Sequence, residues 1–371
     1  MSGRVIHVAL GDTAYDVIIE PGLLSRLGEL VAGLGDRPAA VLAVDQQIQK
    51  THGAAADRSL RDAGFTPTLV VLKADESHKT LETVQGMYEQ MLAGPVRPTR
   101  DSPVVALGGG IIGDTAGFAA ATFQRGLPLV HVPTTLLAMV DASIGGKTGV
   151  NFTLPGGGLG KNLIGAFWQP RAVLIDPMVL GTLGERDLRC GLAECVKTAI
   201  IADAPLLEYL SDRVSEILAL DTSTLVDLIE RCVRIKVAIV CADERETGRR
   251  ALLNLGHTFA HAIEAQQHLG LRHGEAVSIG LAAAMECGVR TDRMNDADRG
   301  RVTRLLEKIG LPVALPQPVP LGDLTHAMQF DKKVVGGKAR LIIPEGLGVA
   351  SIRDDVPEEV VNAAWVSVGA V

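Results

Sequence analysis

The sequence predicts an α/β domain with a parallel, Rossmann-like sheet in residues 1–176 and a mainly α-helical domain in residues 177–371. Three observations support this prediction. The chain has 371 residues, more than the roughly 250–300 that one hydrophobic core usually serves. Short β-rich runs alternate with helical stretches in the first half, as expected of parallel βαβ units. Beyond Asp176, long helical patterns follow one another instead.

The elements of the first half follow in strict alternation. The predicted strands cover residues 38–45, 66–74, 102–110 and 128–135, and the predicted helices cover 46–64, 79–94 and 113–126. In the second half, helices are predicted at 185–202, 204–219, 223–243, 252–268, 274–290 and 296–309, with one extended segment at 338–346. A cleft between two unlike domains is a common place for a ligand.

Composition excludes several classes of function. Hydrophobic residues make up 47% of the chain and charged residues 21%, which is typical of a soluble globular protein. The net charge of −7 gives no reason to expect nucleic acid or an anionic membrane as a partner. The five cysteines form no CxxC pair, and no segment is typical of a signal peptide or a membrane span. We therefore expect a cytoplasmic protein.

A glycine-rich segment, GGGIIG at Gly108–Gly113, follows a predicted strand and precedes a predicted helix. Such a G-x-G-x-x-G turn lets backbone N–H groups approach a pyrophosphate at a helix N-terminus. The acidic ribose partner expected about 20 residues later is missing, although Asp45 ends an upstream strand and could serve. A simple tight turn explains the motif equally well. If a dinucleotide binds here, the fold departs from the Rossmann strand order.

Two further glycine-rich segments follow. DASIGGKTG has Asp141 where a P-loop needs glycine, so an ATPase or kinase loses its main support. Lys147 in this segment is either an anion contact or a solvated loop lysine. LPGGGLGKN ends in Lys161 and Asn162, which could share an anion pocket with Lys147.

Four of the nine histidines lie between Asn254 and Val277. His257 and His261 are four residues apart on one helix face, where they could bind a metal ion or form an ordinary surface pair. His268 lies on a polar stretch and is expected to be solvated. His273 stands at a predicted helix start, from which its ring can turn inward.

A third metal ligand could come from the apolar helix that carries Glu194 and Lys197 three residues apart. Charged side chains on such a helix are costly unless they are paired or bound to a metal. Glu194 and Lys197 could form a buried ion pair, Glu194 could be a ligand, or both could hold.

Eight segments together resemble one known family over nearly the whole chain. In order they are DESHKTLE, ALGGGIIGDTAGFAAATFQRG, HVPTTLLAMVDASIGGKTGVN, GKNLIGAFWQP, GLAECVKTAII, LLNLGHTFAHAIE, RHGEAV and DKKVVGGKARLI. The chain thereby resembles 3-dehydroquinate synthase, of the sugar-phosphate cyclases, and we expect a dehydroquinate-synthase-like fold. The resemblance implies an NAD- and metal-dependent carbon–oxygen lyase of the shikimate pathway. Its substrate would be 3-deoxy-D-arabino-heptulosonate 7-phosphate, and its products 3-dehydroquinate and phosphate.

The implied reaction oxidises the C5 hydroxyl with bound NAD, eliminates phosphate, reduces the ketone with the same cofactor and closes the ring by an aldol step. The departing phosphate is expected to take the C6 proton, so no protein base is assigned to that step. Asp45 would contact the adenosine ribose. The implied cofactor contacts are Asp45, Asp75, Glu76, Lys79, Gly109, Gly110, Ile111, Ile112, Gly113, Asp114, Thr134, Thr135, Lys147 and Thr182.

The resemblance also assigns the metal and the substrate. Glu194, His257 and His273 would bind one divalent ion, zinc by expectation and cobalt as the alternative, while His261 would lie near the substrate phosphate. The other implied phosphate contacts are Arg125, Lys147, Asn254 and Lys332 or Lys333. The implied carboxylate contacts are Lys161, Asn162 and Arg250, and Asp141, Lys197 and Lys236 would surround the reacting hydroxyls. A homodimer is implied, with Arg125 reaching into the other subunit.

The chain departs from the family pattern at LPGGG, which lengthens the loop before Lys161. Three alternatives stay open at this point. A sister sugar-phosphate cyclase would use the same chemistry on another sugar phosphate. A metal-dependent polyol or glycerol-phosphate dehydrogenase would share the two-domain plan. A non-catalytic scaffold would have no use for a buried carboxylate beside helix-borne histidines.

Overall fold

The computed structural model describes residues 3–34, 38–155, 159–329, 334–335 and 338–371. The chain forms two units, one of Met1–Leu183 with Leu225–Glu244, the other of Gly184–Thr224 with Arg245–Val371. The sequence predicts one boundary after Asp176, whereas the chain returns to the first unit at Leu225. Periodicity reports that a helix buries one face, but it does not report which unit covers that face.

A seven-stranded sheet forms the centre of the first unit. Its strands are β1 (Arg4–Val8), β2 (Tyr15–Ile19), β3 (Ala39–Asp45), β4 (Thr66–Leu72), β5 (Val104–Gly108), β6 (Leu129–Pro133) and β9 (Ala172–Ile175). Their order is β1-β2-β9-β6-β5-β3-β4. All neighbours are parallel except β1 and β2. The predicted parallel sheet is confirmed.

The strand order departs from the Rossmann arrangement, as the sequence analysis expected of a dinucleotide site in this chain. Counted from β3, the five consecutive parallel strands lie in the order 2-1-3-4-5, as in flavodoxin-like folds. The order reverses between β3 and β5. Ligands of open α/β sheets bind beyond the carboxyl ends of the strands at such a reversal, which here are Asp45 and Gly108.

Helices cover this sheet because its inner strands are apolar on both faces. The helices of this part are α1 (Leu27–Ala32), α2 (Ala54–Asp62), α3 (Leu81–Ala93) and α4 (Gly110–Thr122). All residues of β3 from Ala39 to Val44 are buried, which a continuous apolar run in a parallel strand predicts. Met87 and Met91 of α3 pack with Ala116 and Ala119 of α4 in one core beneath the strands.

An antiparallel hairpin, absent from the sequence prediction, follows β6. It joins β7 (Lys147–Thr153) to β8 (Leu159–Phe167), with a register shift between Val150 and Phe152. Glycines and asparagines are depleted in strands, so this segment has the composition of a loop. Gly156–Gly158 of the LPGGG segment lie outside the described residues.

The second unit is mainly helical, as predicted. The helices from Glu185 onward are α5 (Glu185–Ala202), α6 (Ala204–Leu218), α7 (Thr222–Ala242), α8 (His257–Glu264), α9 (His273–Arg290), α10 (Asp296–Ile309), α11 (Leu321–Gln329) and α12 (Glu358–Ser367), with α7 passing into the first unit. Two small antiparallel pairs join β10 (Val334–Val335) to β11 (Lys338–Ala339) and β12 (Leu341–Pro344) to β13 (Ala350–Arg353). Among the helices in the described ranges, none combines the length and apolar character needed to cross a bilayer.

The helix predicted at 252–268 is divided in the structure. A 3₁₀ turn at Arg249–Asn254 precedes α8, and another at Gln267–Leu269 follows it. Gly256 between the first turn and α8 has φ +77°, a left-handed conformation that glycine adopts without steric cost. The 3.6-residue apolar periodicity does not indicate the backbone angle of Gly256, so the sequence predicts one helix where the structure has three short elements.

Candidate functional site

Close helix packing in the second unit brings three predicted ligands together. A Cβ at Gly274 on α9 would lie 2.6 Å from the Cβ of Cys190 on α5. A Cβ at Gly280 on the same helix would collide with the carbonyl oxygen of Gly256, just before α8. Only glycine permits such approaches. The start of α9 therefore lies against α5, and the start of α8 lies against the middle of α9.

Glu194, His257 and His273 form a compact set of side chains that could hold a metal ion. The Nε2 atom of His257 lies 3.7 Å from Oε1 of Glu194, and Nε2 of His273 lies 3.6 Å from the same oxygen. One potential ligand atom from each residue lies within 4.8 Å of the others, and the described residues contain no second group of this kind. Two imidazoles and one carboxylate are the protein ligands of many catalytic zinc sites. The donor set therefore fits a divalent ion with an open position.

Neighbouring acceptors orient both imidazoles. The Nδ1 atom of His257 lies 3.1 Å from the carbonyl oxygen of Leu255, and Nδ1 of His273 lies 3.2 Å from Oε1 of Glu264. An Nδ1–H donated to these oxygens leaves the Nε2 lone pairs facing Glu194. Metal-binding histidines almost always have such a partner. Glu264 thus belongs to the site.

Protonation of the two imidazoles is set by opposite environments. Burial lowers the pKa of His257 well below its ordinary value, with Lys197 contributing in the same direction. Burial also lowers the pKa of His273, but hydrogen bonds to Glu194 and Glu264 outweigh it and raise this pKa to about 10. The negative charge that holds a proton on His273 would also attract a metal ion.

Lys197 forms an ion pair with Glu194 inside this cluster, and both side chains are almost fully buried. The ion pair and the metal ligand are compatible, because one carboxylate has two oxygens. His261 stands at the edge of the His257 ring, with ring centroids 5.7 Å apart, and is exposed. His268 is exposed in the turn after α8.

Two more predicted substrate contacts lie in the 3₁₀ turn before α8. Arg250 is 1% exposed, so its guanidinium is shielded from bulk water. The Nδ2 of Asn254 donates to Oε1 of Glu246 at 2.6 Å. Lys332 and Lys333 lie outside the described residues.

In the first unit, the glycine-rich segment lies at the reversal of strand order. Gly109 caps α4 without a side-chain acceptor, which leaves the helix N-terminus suited to an anion. A Cβ at Gly109 would lie 3.1 Å from Thr135, and one at Gly110 would lie 3.3 Å from Ala142. Ile112 is buried in the core, so only its backbone is available to a ligand.

Asp45 stands at the end of β3 and lines an open groove together with Lys73 and Asp75. Burial raises the pKa of its carboxyl, while the backbone N–H of Gln47, 2.9 Å from Oδ1, lowers it. Asp75 caps the following turn and contacts His78 at 2.7 Å, which lowers the pKa of Asp75. Asp75 therefore stabilises this turn, in addition to its predicted contact with the cofactor.

Lys79, which is buried, is the centre of a polar network. Its ammonium contacts Oδ2 of Asp114 at 2.5 Å and also donates to Oδ1 of Asn162. Burial raises the pKa of Asp114, and Lys79 opposes this shift. Asn151 donates to Oε1 of Glu76 at 2.7 Å and accepts from the N–H of Asn162 at 2.9 Å. Predicted cofactor and carboxylate contacts thus share one network.

An ion pair joins the buried Lys236 to the partly buried Asp141, with Nζ 2.6 Å from Oδ1. Lys236 lies on α7, in the part of that helix that belongs to the first unit. Lys147 begins β7 and Lys161 lies on β8, and both are exposed. Arg125 is exposed in a turn with φ +68°.

The three predicted threonine contacts are held by their surroundings. The N–H of Thr134 donates to the carbonyl of Gly108 at 3.0 Å. The Oγ1 of Thr135 accepts from the N–H of Ala138 at 3.2 Å. The Oγ1 of Thr182 lies 2.7 Å from Nε2 of His52.

Sequence reasoning missed Glu264, Asn151 and His52. Glu264 is the last residue of the segment LLNLGHTFAHAIE and lies seven residues after His257. This helical spacing could have identified it. Asn151 and His52 carry no local signal, because their partners Glu76 and Thr182 are remote in sequence.

Family models cover most of the chain. The model of the 3-dehydroquinate synthase N-terminal region matches residues 69–190, and the model of the C-terminal region matches residues 191–334. A 3-dehydroquinate synthase from Nostoc sp. is 44% identical over 358 residues, which cover 96% of this chain and 97% of that protein.

Two solved structures share the fold over nearly their full length. One is 2-epi-5-epi-valiolone synthase from Streptomyces hygroscopicus subsp. jinggangensis 5008 with NAD⁺ and Zn²⁺ bound. Its TM-score is 0.86 at 32% identity, covering 98% of this chain and 99% of that one. The other is 2-deoxy-scyllo-inosose synthase complexed with carbaglucose-6-phosphate, NAD⁺ and Co²⁺. Its TM-score is 0.86 at 24% identity, with the same coverage, and this likeness supports the fold alone.

Proposed function

The chain belongs to the 3-dehydroquinate synthase family, and on this premise we propose how its residues perform the reaction. The reaction converts 3-deoxy-D-arabino-heptulosonate 7-phosphate to 3-dehydroquinate and phosphate, a step of the shikimate pathway. The single observation that carries the proposal is the convergence of Glu194, His257 and His273 within 4.8 Å. We assign NAD binding to the first unit and metal binding to the second.

We propose that Glu194, His257 and His273 hold a zinc ion, or cobalt in its place. When bound, such an ion supplies a Lewis acid that favours ionisation of a substrate hydroxyl. Leu255 and Glu264 keep both imidazoles turned toward that ion. Lys197 lies against Glu194 and adds positive charge where a substrate oxygen becomes negative.

The proposed NAD site lies beyond the carboxyl ends of β3 and β5. The backbone of Gly109–Gly113 and the free N-terminus of α4 suit the pyrophosphate, and Asp45 suits the adenosine ribose. NAD bound here would supply a hydride acceptor for the substrate oxidation and a hydride donor for the later reduction. Glu76, Lys79 and Asp114 hold the neighbouring backbone through their shared network.

The substrate carries a carboxylate and a phosphate, so fixed cations must bind both. We assign the carboxylate to Arg250, Lys161 and Asn162. We assign the phosphate to Lys147, Arg125, Asn254, His261 and one lysine of Lys332–Lys333. The Asp141–Lys236 pair, 2.6 Å apart, can hold or pass a proton beside the reacting hydroxyls. The departing phosphate takes the C6 proton, so no protein base is required there.

The proposal is tested by measuring phosphate release from the heptulosonate phosphate with NAD far below the substrate concentration. We expect many turnovers per NAD and no accumulation of NADH. A chelator should stop release, and added Zn²⁺ or Co²⁺ should restore it. Stoichiometric NADH would favour a polyol dehydrogenase instead, and preference for another sugar phosphate would favour a sister cyclase.

We further propose a homodimer in which Arg125 reaches the other subunit. Arg125 is exposed, and Gln124 and Arg125 both have left-handed backbone. Such strain in non-glycine residues is typical of functional positions. Phe152, Leu159 and Phe167 are exposed apolar side chains on the β7–β8 hairpin, which suits a surface covered by a partner.

We propose that the protein works in the cytoplasm. All five cysteines are free, and four of them are buried. Free thiols are typical of reducing compartments.

A further inference from the structure

Asn151, on β7, is an amide whose role the proposed reaction does not yet include. It is 2% exposed, and its side-chain amide and its backbone N–H all have partners. Its Nδ2 donates to the carbonyl oxygen of Glu76 at 3.2 Å and to Oε1 of Glu76 at 2.7 Å. Its Oδ1 accepts from the N–H of Asn162, and its own N–H donates to the carbonyl of Lys79 at 2.8 Å.

These bonds hold a β-bulge in place. Val150 pairs with Ile164 and Phe152 with Gly160, so Asn151 alone stands opposite the three residues 161–163. Asn162 in this bulge has φ +49°, a left-handed conformation that asparagine tolerates better than most residues. Because the ladder is interrupted here, the side chain of Asn151 replaces a backbone acceptor for the N–H of Asn162.

The bulge and the turn at Glu76–Lys79 carry different proposed contacts. Lys161 and Asn162 are assigned to the substrate carboxylate, whereas Glu76 and Lys79 are assigned to NAD. Asn151 is hydrogen-bonded to both segments. The ammonium of Lys79 joins them a second time by donating to Asn162, and it also donates to Asp114 on α4. Moving either segment would break hydrogen bonds of Lys79 and Asn151, both of which are buried, and such bonds are costly to leave unmade.

We propose that Asn151 is a positioning residue that sets the carboxylate-binding bulge and the NAD-binding turn in one fixed arrangement. This inference rests on the proposed function, because it assigns the same two ligands. It requires that NAD affinity and substrate affinity both depend on Asn151. If one residue positions two binding sites, binding of either ligand changes the affinity for the other by the same factor.

The test uses Asn151→Asp in the metal-loaded full-length enzyme. Aspartate keeps the acceptor for Asn162 but places an oxygen where Nδ2 donated to two oxygens of Glu76. We expect the Kd for NAD, from calorimetry, and the KM for the heptulosonate phosphate each to rise at least tenfold, about 1.4 kcal/mol. We expect kcat at saturation to stay within about threefold, because Asn151 touches no reacting atom. Asn151→Ala, which adds no charge, is the second variant in case the first does not fold.

Thr148→Val is the matched control on the same strand. Thr148 is 7% exposed, and its Oγ1 donates to the carbonyl of Ala166 at 2.7 Å. Valine removes this buried hairpin bond while leaving the turn at Glu76 untouched. We expect a lower Tm for this variant with both affinities unchanged.

Two outcomes overturn the inference. One is a set of Asn151 variants that lose only thermal stability, as Thr148→Val does. The other is a change in one affinity alone. Absence of phosphate release by the unaltered enzyme would instead refute the proposed function, whereas an unchanged Kd for NAD in Asn151→Asp would refute the inference itself.

Discussion

The packing of α9 against α5 makes Gly274 a sensitive position near the candidate metal site. Gly274→Ala adds a methyl group 2.6 Å from the Cβ of Cys190 and closer still to its backbone. Carbon atoms pack best at about 3.5–4.0 Å, so the two helices must separate by roughly 1 Å. No rotation of a side chain can relieve this contact, because the opposing atoms are fixed to the backbone of α5.

The displacement acts directly on the metal ligands. His273 is the residue before Gly274, and Glu194 lies one turn along α5 from Cys190. Metal–ligand distances hold within about 0.2 Å, so a shift of this size withdraws one ligand. We expect Zn²⁺ affinity to fall at least tenfold and, from overpacking, the free energy of unfolding to fall by about 1–3 kcal/mol.

Gly322→Ala is the matched control for this substitution. Both glycines occupy the second position of a helix in the second unit, but no atom lies within 4 Å of a Cβ placed at Gly322. The control should gain about 0.4–1 kcal/mol from a stiffer unfolded chain. Denaturant unfolding and competitive Zn²⁺ titration with a chromophoric chelator measure both quantities. Wild-type zinc affinity in Gly274→Ala would refute the argument that this close approach sets the ligand geometry.

Three further predictions concern other groups. Glu194→Ala, His257→Ala and His273→Ala should each lose metal and activity, whereas His261→Ala should keep the metal and turn over poorly; metal analysis giving the reverse for His261 and His273 would contradict the ligand assignment. Asp45→Ala should raise the NAD concentration needed for half-maximal phosphate release without changing the products, and an unchanged NAD requirement would exclude its ribose contact. Burial lowers the pKa of His131 from 6.5 to about 4. As pH falls from 6.5 to 4, the unfolded chain therefore binds a proton at His131 that the folded chain does not, and the free energy of unfolding should drop by up to about 3 kcal/mol. In denaturant titrations His131→Leu should show a smaller drop. An equal drop in both proteins would show that other groups cause it.

The sheet and long helices could be predicted because their signals are local. Residues 39–44 form a continuous apolar run and are all buried, which suits only a strand covered on both faces. The hairpin of β7 and β8 could not be predicted, since its bulge depends on the side chain of Asn151 and its glycines imitate a loop. The division of α7 between the two units was missed for a similar reason, because the helix pattern does not identify its covering partner.

In the candidate metal site, too, local spacing could be predicted and contacts between helices could not. Spacing brought His257 and His261 into consideration equally, since residues four apart share a helix face. The structure separates them, because Gly256 and Gly280 bring the start of α8 against α9, while His261 lies one turn farther and is exposed. The geometry that distinguishes the two histidines thus depends on contacts between helices.

The strand order explains why the acidic partner of the glycine-rich segment lies upstream. In the Rossmann order the glycine-rich turn follows the first strand, and the acidic residue ends the second strand, which comes later in the chain. Here the turn follows β5, and the neighbouring strand across the reversal is β3, which precedes it. Asp45 ends this neighbouring strand, so the proposed acidic partner precedes the turn in the chain instead of following it. The spacing rule for this motif depends on topology, so the absence of an acid downstream of Gly113 does not argue against a dinucleotide site in this fold.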